Sequence, residues 1–525
     1  MTKKIDTVVI SETISHKTES SPSESTQKVS ASLLAHSQHD RCILMNSSKS
    51  TMNFIYNALG SILPIIISLA TVPLYIHLLG LSRYGIVTLS WVLLGYFGFL
   101  DFGMSRASAN ALARLPEEDM RSRSKVFMTT LYSNMIMGTI GGLVMYFLGG
   151  FVLLHVVKIE PDLIHETQQA YPWMAAMLPF GMLGGVLIGA LESRERFLAA
   201  NMLGTTGNII SQILPLACAW LITPSLTIVI PAILISRVIF VMSGFILVAQ
   251  KEKELRIQDF STEWLKKLFG YGSWVSISAF LNPILDSLNQ IVIGAMLNAA
   301  AVAKYSVPMT LAIRSQVAAT ALARTLFPRL SRATHEEAVD TTQKSVGALA
   351  YGFAVICGPA ILFSFTFLHF WIGEKFAVES GTVAEILLFG AWTNGVAFIP
   401  YNFLQAQGRP HQTAIVGMIE ILPFLVTLWV SIHFFGLPGA AMAWTLRVTI
   451  NAFVLLSLSH CITRKMLHLL PVIAMMGGSL LLALLVPMTP LMATGVSIMA
   501  FLSFLFAALL IDPVFNETVR RKLGL

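Results

Sequence analysis

"GYFGFLDFGMSRASANALARL", residues 95–115, reads as membrane-embedded helix, yet it carries Asp101 and Arg106 where a lipid-facing helix would carry leucine. Its closing "NALARL" is echoed by "TALARTL" 210 residues further along the chain. Ionisable groups inside an apolar helix point to a bundle interior or a wet cavity, and an echo at fixed distance points to duplication. Both readings extend to the whole chain.

Of 525 residues, 55% are hydrophobic and 12% charged, against roughly 25% charged in an average soluble protein. The apolar residues come in runs of about twenty, the length that crosses a hydrocarbon layer of roughly 30 Å. Strands of about ten alternating residues, the mark of a membrane barrel, are absent. The fold class predicted is all-α, a polytopic membrane protein with about fourteen transmembrane helices. The candidate spans are 54–79, 84–112, 126–157, 171–191, 200–222, 226–249, 268–297, 302–326, 345–372, 382–404, 412–435, 439–462, 467–485 and 491–511.

Residues 1–50 are rich in Ser, Thr, Lys and Glu and read as a disordered tail without the apolar stretch of a signal peptide. The four cysteines are scattered, in no metal or disulfide spacing. Of the 35 Lys and Arg, 26 fall on the side of the tail and the even-numbered loops. Four (Arg83, Lys158, Lys304 and Lys375) fall on the other side, and five lie within spans. Under the positive-inside rule both termini are then cytoplasmic. The net charge of +7 is accordingly topogenic, with no nucleic-acid partner implied.

Two further echoes keep nearly the same register, "QILPL" with "EILPF" and "ISRV" with "TLRV", and Arg83-Tyr84 at the start of span 2 matches Lys304-Tyr305 at the start of span 8. They link spans 1–6 to spans 7–12. Six is even, so the copies share one orientation, an architecture in which the substrate route runs between the halves. The expected division is a tail at 1–50, an N-lobe at 51–250, a C-lobe at 251–465, and spans 13–14 with the C-terminus at 466–525.

No Walker A, zincin or nucleophile-elbow motif occurs, so an enzyme is not indicated and no cofactor is implied. The available chemistry lies in ionisable groups within spans. Arg324 and Glu385 fall near span ends, where snorkelling or interface exposure costs little. Asp101, Arg237, Asp286, Arg314, Glu420 and Arg447 sit deeper, where each costs about 2.5–3.5 kcal/mol unless paired or hydrated. Arg237 and Arg447, at equivalent places in the two copies, suggest structural ion pairing. Asp101 and Arg106 are about 140° apart around a helix and need separate explanations.

Several phrases resemble one family: "LLGLSRYGIVTL", "GFLDFGMSRASANALARL", "LQAQGRPHQTA" and "FGLPGAAMAWTLR" are similar to the Wzx-type polysaccharide, or O-antigen repeat-unit, flippases. These belong to the multidrug/oligosaccharidyl-lipid/polysaccharide exporter superfamily. The resemblance covers spans 1–12. It implies two six-helix lobes in a V around a central cavity. It also implies translocation of an undecaprenyl-pyrophosphate-linked oligosaccharide across the bacterial inner membrane, driven by an ion gradient.

On that resemblance Arg314 and Arg106 bind the head group, and Asp101, Asp286 or Glu420 exchange protons or sodium. The partners implied are the lipid-linked oligosaccharide, the ion, membrane lipids and a polysaccharide polymerase. Fourteen spans are closer to the lipid II flippase branch than to the twelve described for many O-antigen members. A cation-coupled multidrug exporter is the nearest rival, and the deep arginines count against it. A membrane glycosyltransferase or ligase would need a large outer loop, whereas "KIEPDLIHETQQA" leaves little room.

Overall fold

The computed structural model describes residues 63–95, 98–116, 118–250, 255–512 and 515–516, with the backbone alone at 98–99, 271–287, 318 and 465. Among the described residues every regular element is a helix. In the first half these are α1 (Leu63–Gly95), α2 (Met104–Arg114), α3 (Met120–Val144), α4 (Pro161–Glu192), α5 (Phe197–Leu221) and α6 (Leu226–Ala249). The second half holds α7 (Thr262–Met296), α8 (Ala299–Ser315), α9 (Val317–Arg332), α10 (His335–Trp371), α11 (Glu374–Ala406) and α12 (Pro410–Leu458). Two further helices, α13 (Leu470–Leu485) and α14 (Pro490–Ile511), follow.

Nine of the described helices are long and apolar enough to cross a membrane. Two of these double back. Gly80 in α1 has φ 78° and Gly436 in α12 has φ 62°, a backbone that glycine adopts without a side-chain clash. The rings of Tyr75 and Tyr84 would lie about 13 Å apart along a continuous helix, but their centroids are 6.0 Å apart. In α12 the Arg447 guanidinium lies 5.1 Å from the Phe424 ring, so its arms pack side by side. With both hairpins counted as two arms, the helical segments follow the fourteen expected spans in order.

Several spans differ from expectation, the fourth and ninth by starting ten residues earlier, at Pro161 and His335. The second is broken: a short 3-10 turn at Gly98–Asp101 is followed by Phe102 (φ 46°) and Gly103 (φ 65°) before α2 begins. The eighth is interrupted at Gln316 between α8 and α9. The tenth starts earlier, at Glu374, which puts Glu385 three turns inside α11 and leaves it 6% exposed, not near a helix end. Arg123, counted as a loop charge, is 2% exposed within α3 and donates to the carbonyl of Leu112 at 2.6 Å, satisfying the end of α2.

One apolar cluster is shared by both halves. It joins the beginning of α4 (Leu163, Met174) and the first turns of α6 (Val229) to Tyr305, Phe376 and Trp444. Gly85 makes the closest approach, because a Cβ there would stand 1.8 Å from the Ala299 carbonyl oxygen. Hydrogen bonds from the Lys158 amide to Gly294 O (2.9 Å) and from the Ala299 amide to Lys158 O (3.2 Å) bind the same end.

Towards the other end the buried clusters are separate, and the one on the first half also takes in Leu268 of α7. Leu112, Phe127, Leu187 and Val248 form one, and Leu330, Phe403, Leu404 and Leu455 form another. α13 and α14 pack on α10 through Val472, Met476 and Phe504. Because lipid is as apolar as a leucine core, such packing relies on close fit and polar pairing more than on a hydrophobic driving force.

Candidate functional site

The broken second span places Asp101 at the start of α2. Its carboxylate accepts hydrogen bonds from the Ser105 amide (3.2 Å), the Ser105 hydroxyl (2.8 Å) and Asn134 Nδ2 (2.7 Å). It therefore caps the first turn of α2 and ties it to α3. Asp101, Ser105 and Arg106 line a cavity of 580 Å³ whose far wall is a glycine-bearing face of α4, with Gly181, Gly185 and Gly189. Arg106 is exposed there.

A second cavity of 290 Å³ lies between the halves, with walls from α1, α5, α6, α8 and the end of α10. Trp91 and Arg237 line both cavities. Polar groups of α5 face this space: Gln212 accepts from Thr71 through its side chain (3.0 Å) and from the Tyr75 hydroxyl through its carbonyl (2.7 Å). The same Thr, Asn, Ser and Gln residues make α5 less apolar than its neighbours. Trp371, on the opposing half, closes the wall by donating to Leu69 O at 2.7 Å.

Two cations converge here from different halves. Arg237 of α6 and Arg314 of α8 both line the 290 Å³ cavity. Arg237 Nε and Arg314 Nη1 are buried without a hydrogen-bond partner among the described residues. The ion pair expected for Arg237 is not formed there: no described acid lies within pairing distance. A buried guanidinium donor without an acceptor is costly, and an anion arriving in the cavity would relieve that cost.

The third cavity, also 290 Å³, belongs to the second half. Glu420 and Asn451, on opposite arms of α12, share a short hydrogen bond in it, with Arg447 against Phe424. Glu420 stands where the "QILPL" echo has Gln212, and Arg447 where "ISRV" has Arg237. Equivalent residues are thus turned to different surroundings. Asp286 falls on α7, and its side chain lies outside the described residues. Among the described residues no group of three or more His, Cys, Asp or Glu could hold a metal.

The cavities thus group the predicted residues: Asp101 and Arg106 with Arg237 in the first, Arg237 with Arg314 in the second, and Glu420 with Arg447 in the third. Three side chains that a search for ionisable groups passes over also matter: Trp91, Asn134 and Trp371. A cavity with two guanidinium groups that each carry a buried nitrogen without a partner among the described residues, with amide and hydroxyl groups and two indoles, can receive an anionic polyhydroxyl molecule.

Against known proteins, residues 50–334, more than half of the chain, match a family described as "Polysaccharide biosynthesis protein". The chain is 26% identical over 409 residues to a putative O-antigen transporter of Shigella flexneri, covering 77% of this chain and 96% of that protein. The fold is similar to that of the lipid II flippase MurJ in an inward closed conformation. That match has a TM-score of 0.63 and 15% identity, and it covers 90% of this chain and all of the other. It is also similar to an inward-facing multidrug resistance MATE family transporter of the MOP superfamily, with TM-score 0.62 and 14% identity over 80% and 98% of the two chains. The helical order, the length matched and the family match together establish that this multi-pass membrane protein belongs to the polysaccharide biosynthesis protein family.

Proposed function

We propose that the chain is a flippase that moves an undecaprenyl-pyrophosphate-linked oligosaccharide repeat unit from the cytoplasmic to the periplasmic leaflet of the bacterial inner membrane. Both termini are cytoplasmic, and the cycle alternates access under an ion gradient. The observation that carries this reading is the pair Arg237 and Arg314, brought by two halves into one cavity with buried nitrogens left without partners among the described residues. A pyrophosphate supplies acceptors for both guanidinium groups, in the bidentate geometry that arginine favours. Trp91 and Trp371 offer faces for sugar rings, and Arg106, exposed in the larger cavity, meets the head group first.

Two parallel repeats support the route between the halves. Arg83 pairs with Glu166 at 3.0 Å, and Lys304, its counterpart in the echo, pairs with Glu379 at 2.8 Å. Each pair joins the second span of its half to the fourth. The shared core lies at the end carrying Lys158 and Lys304, which the charge distribution assigns to the periplasm, so this conformation opens its cavities to the cytoplasm. The polyprenyl tail stays in lipid while the head crosses. Asp101, Asp286 and Glu420 are the candidate sites of ion exchange, and a polysaccharide polymerase takes the product.

Deleting the gene and analysing surface polysaccharide and lipid-linked sugars tests the reading. Loss of one surface polymer, with its repeat unit retained on the cytoplasmic leaflet, is the expected result. Unchanged glycans with raised sensitivity to cationic drugs would replace it with a multidrug exporter.

A further inference from the structure

Asn134 is 0% exposed, in the middle of an apolar stretch of α3. Its Nδ2 donates to Asp101 Oδ1 (2.7 Å) and Ser105 Oγ (3.1 Å), while its Oδ1 is buried with no partner among the described residues. A carboxamide has two ends of nearly the same shape, so a half-turn about its last bond puts the oxygen where the nitrogen stands. Asp101 Oδ1, Ser105 Oγ and Asn134 Oδ1 then converge on one point. Ser105 can donate its one hydroxyl proton to only one of the other two oxygens, and the carboxylate and carboxamide oxygens, with no proton between them, repel each other unless a cation sits among them.

We propose that Asp101, Ser105 and Asn134 form a site for one sodium ion, reached from the 580 Å³ cavity that Asp101 and Ser105 line. Hard cations take oxygen ligands, and a single carboxylate matches a single positive charge. A calcium or magnesium site would draw on several carboxylates or more numerous oxygens than these three side chains provide. The ion exchanges for the hydrogen bonds that Ser105 and Asn134 now donate to Asp101. Because Asp101 also caps α2, occupancy acts directly on the break in the second span, next to Arg106. This inference names the ion-exchange group within the proposed flippase and rests on that reading for its role, though not for its binding.

The test is equilibrium binding of radioactive sodium to the purified full-length protein in detergent, with choline chloride holding ionic strength constant. Saturable binding of one ion per chain is expected. Asn134→Leu abolishes it, Ser105→Ala weakens it by about tenfold, and Glu263→Gln, at an exposed position on α7, leaves it unchanged. Ser105→Ala keeps both the Asp101 charge and the backbone cap, so it reports on the site even where Asn134→Leu does not fold. Binding no greater than background in the wild type, or binding that survives both Asn134→Leu and Ser105→Ala, or that is lost only in Glu420→Gln, would overturn the site. Sodium binding measured this way is independent of surface polymer, so failure of either reading leaves the other standing.

Discussion

Trp371 donates its indole N–H to the carbonyl of Leu69 at 2.7 Å, a bond that joins α10 to α1 across 302 residues of sequence. It stands at the wall of the cavity that holds Arg237 and Arg314, on the side where the two halves share a core. A conformation that opens this side has to break it.

Trp371→Phe keeps a ring but removes the donor. One hydrogen bond contributes roughly 0.5–1.5 kcal/mol, which shifts a two-state equilibrium by about two- to thirteenfold. In a chain with its native cysteines replaced and Thr310→Cys introduced in the same cavity wall, labelling by a membrane-impermeant maleimide from the Lys304 side is expected to rise by that factor. Unchanged labelling would remove this bond from the closed wall.

Gly85 tests the shared core by a different route. A Cβ at this position collides with the backbone of Ala299, and backbone cannot rotate away as a side chain can. Gly85→Ala is expected to cost about 1–3 kcal/mol through overpacking, seen as a lowered unfolding temperature. Gly477→Ala in α13, where nothing lies within 4 Å of the added methyl, is expected to be neutral or slightly stabilising.

Arg314→Lys retains the positive charge and loses the planar fork. Loss of one charge-assisted hydrogen bond, worth about 1.5–3 kcal/mol, predicts a fall in surface polymer of roughly tenfold or more at equal protein level. Arg237→Lys is expected to behave alike. Full polymer in both variants would exclude these arginines from head-group binding.

Much of the fold could be read directly from the chain, because crossing a membrane fixes run length and the Lys and Arg distribution separates its sides. The breaks could not. "FLDFGMS" reads as continuous apolar helix, and only the backbone at Phe102 and Gly103 shows where it stops. The arginine echo was visible, but its consequence was not. Arg237 faces a cavity between the halves while Arg447 lies against Phe424 in a hairpin of its own half, a difference set by tertiary placement alone. Asn134 carries no charge, so a search for costly ionisable groups passes over it although it is more deeply buried than any of those whose side chains are described.

Asp119 predicts a pH effect outside the spans. Its side chain accepts from the Ser122 amide at 3.1 Å at the start of α3, and bonds from Ser122 hold its carboxyl below the usual aspartate range. A lowered native value means that the cap stabilises at neutral pH and is lost as pH falls through that value. Asp119→Ala is expected to lower the unfolding temperature at pH 7, and the difference from wild type is expected to shrink as the pH drops below roughly 4. A difference independent of pH would assign the effect to something other than the carboxylate.

The most direct measurement is head-group translocation by the purified protein in vesicles, using an undecaprenyl-pyrophosphate-linked oligosaccharide with its sugars fluorescently labelled and a membrane-impermeant quencher. The account predicts that wild-type protein exposes the inner-leaflet label to the quencher and that Arg237→Gln with Arg314→Gln, folded and inserted equally well, does not. Equal translocation by the double variant, or none by the wild type in the presence of a sodium gradient, would contradict it.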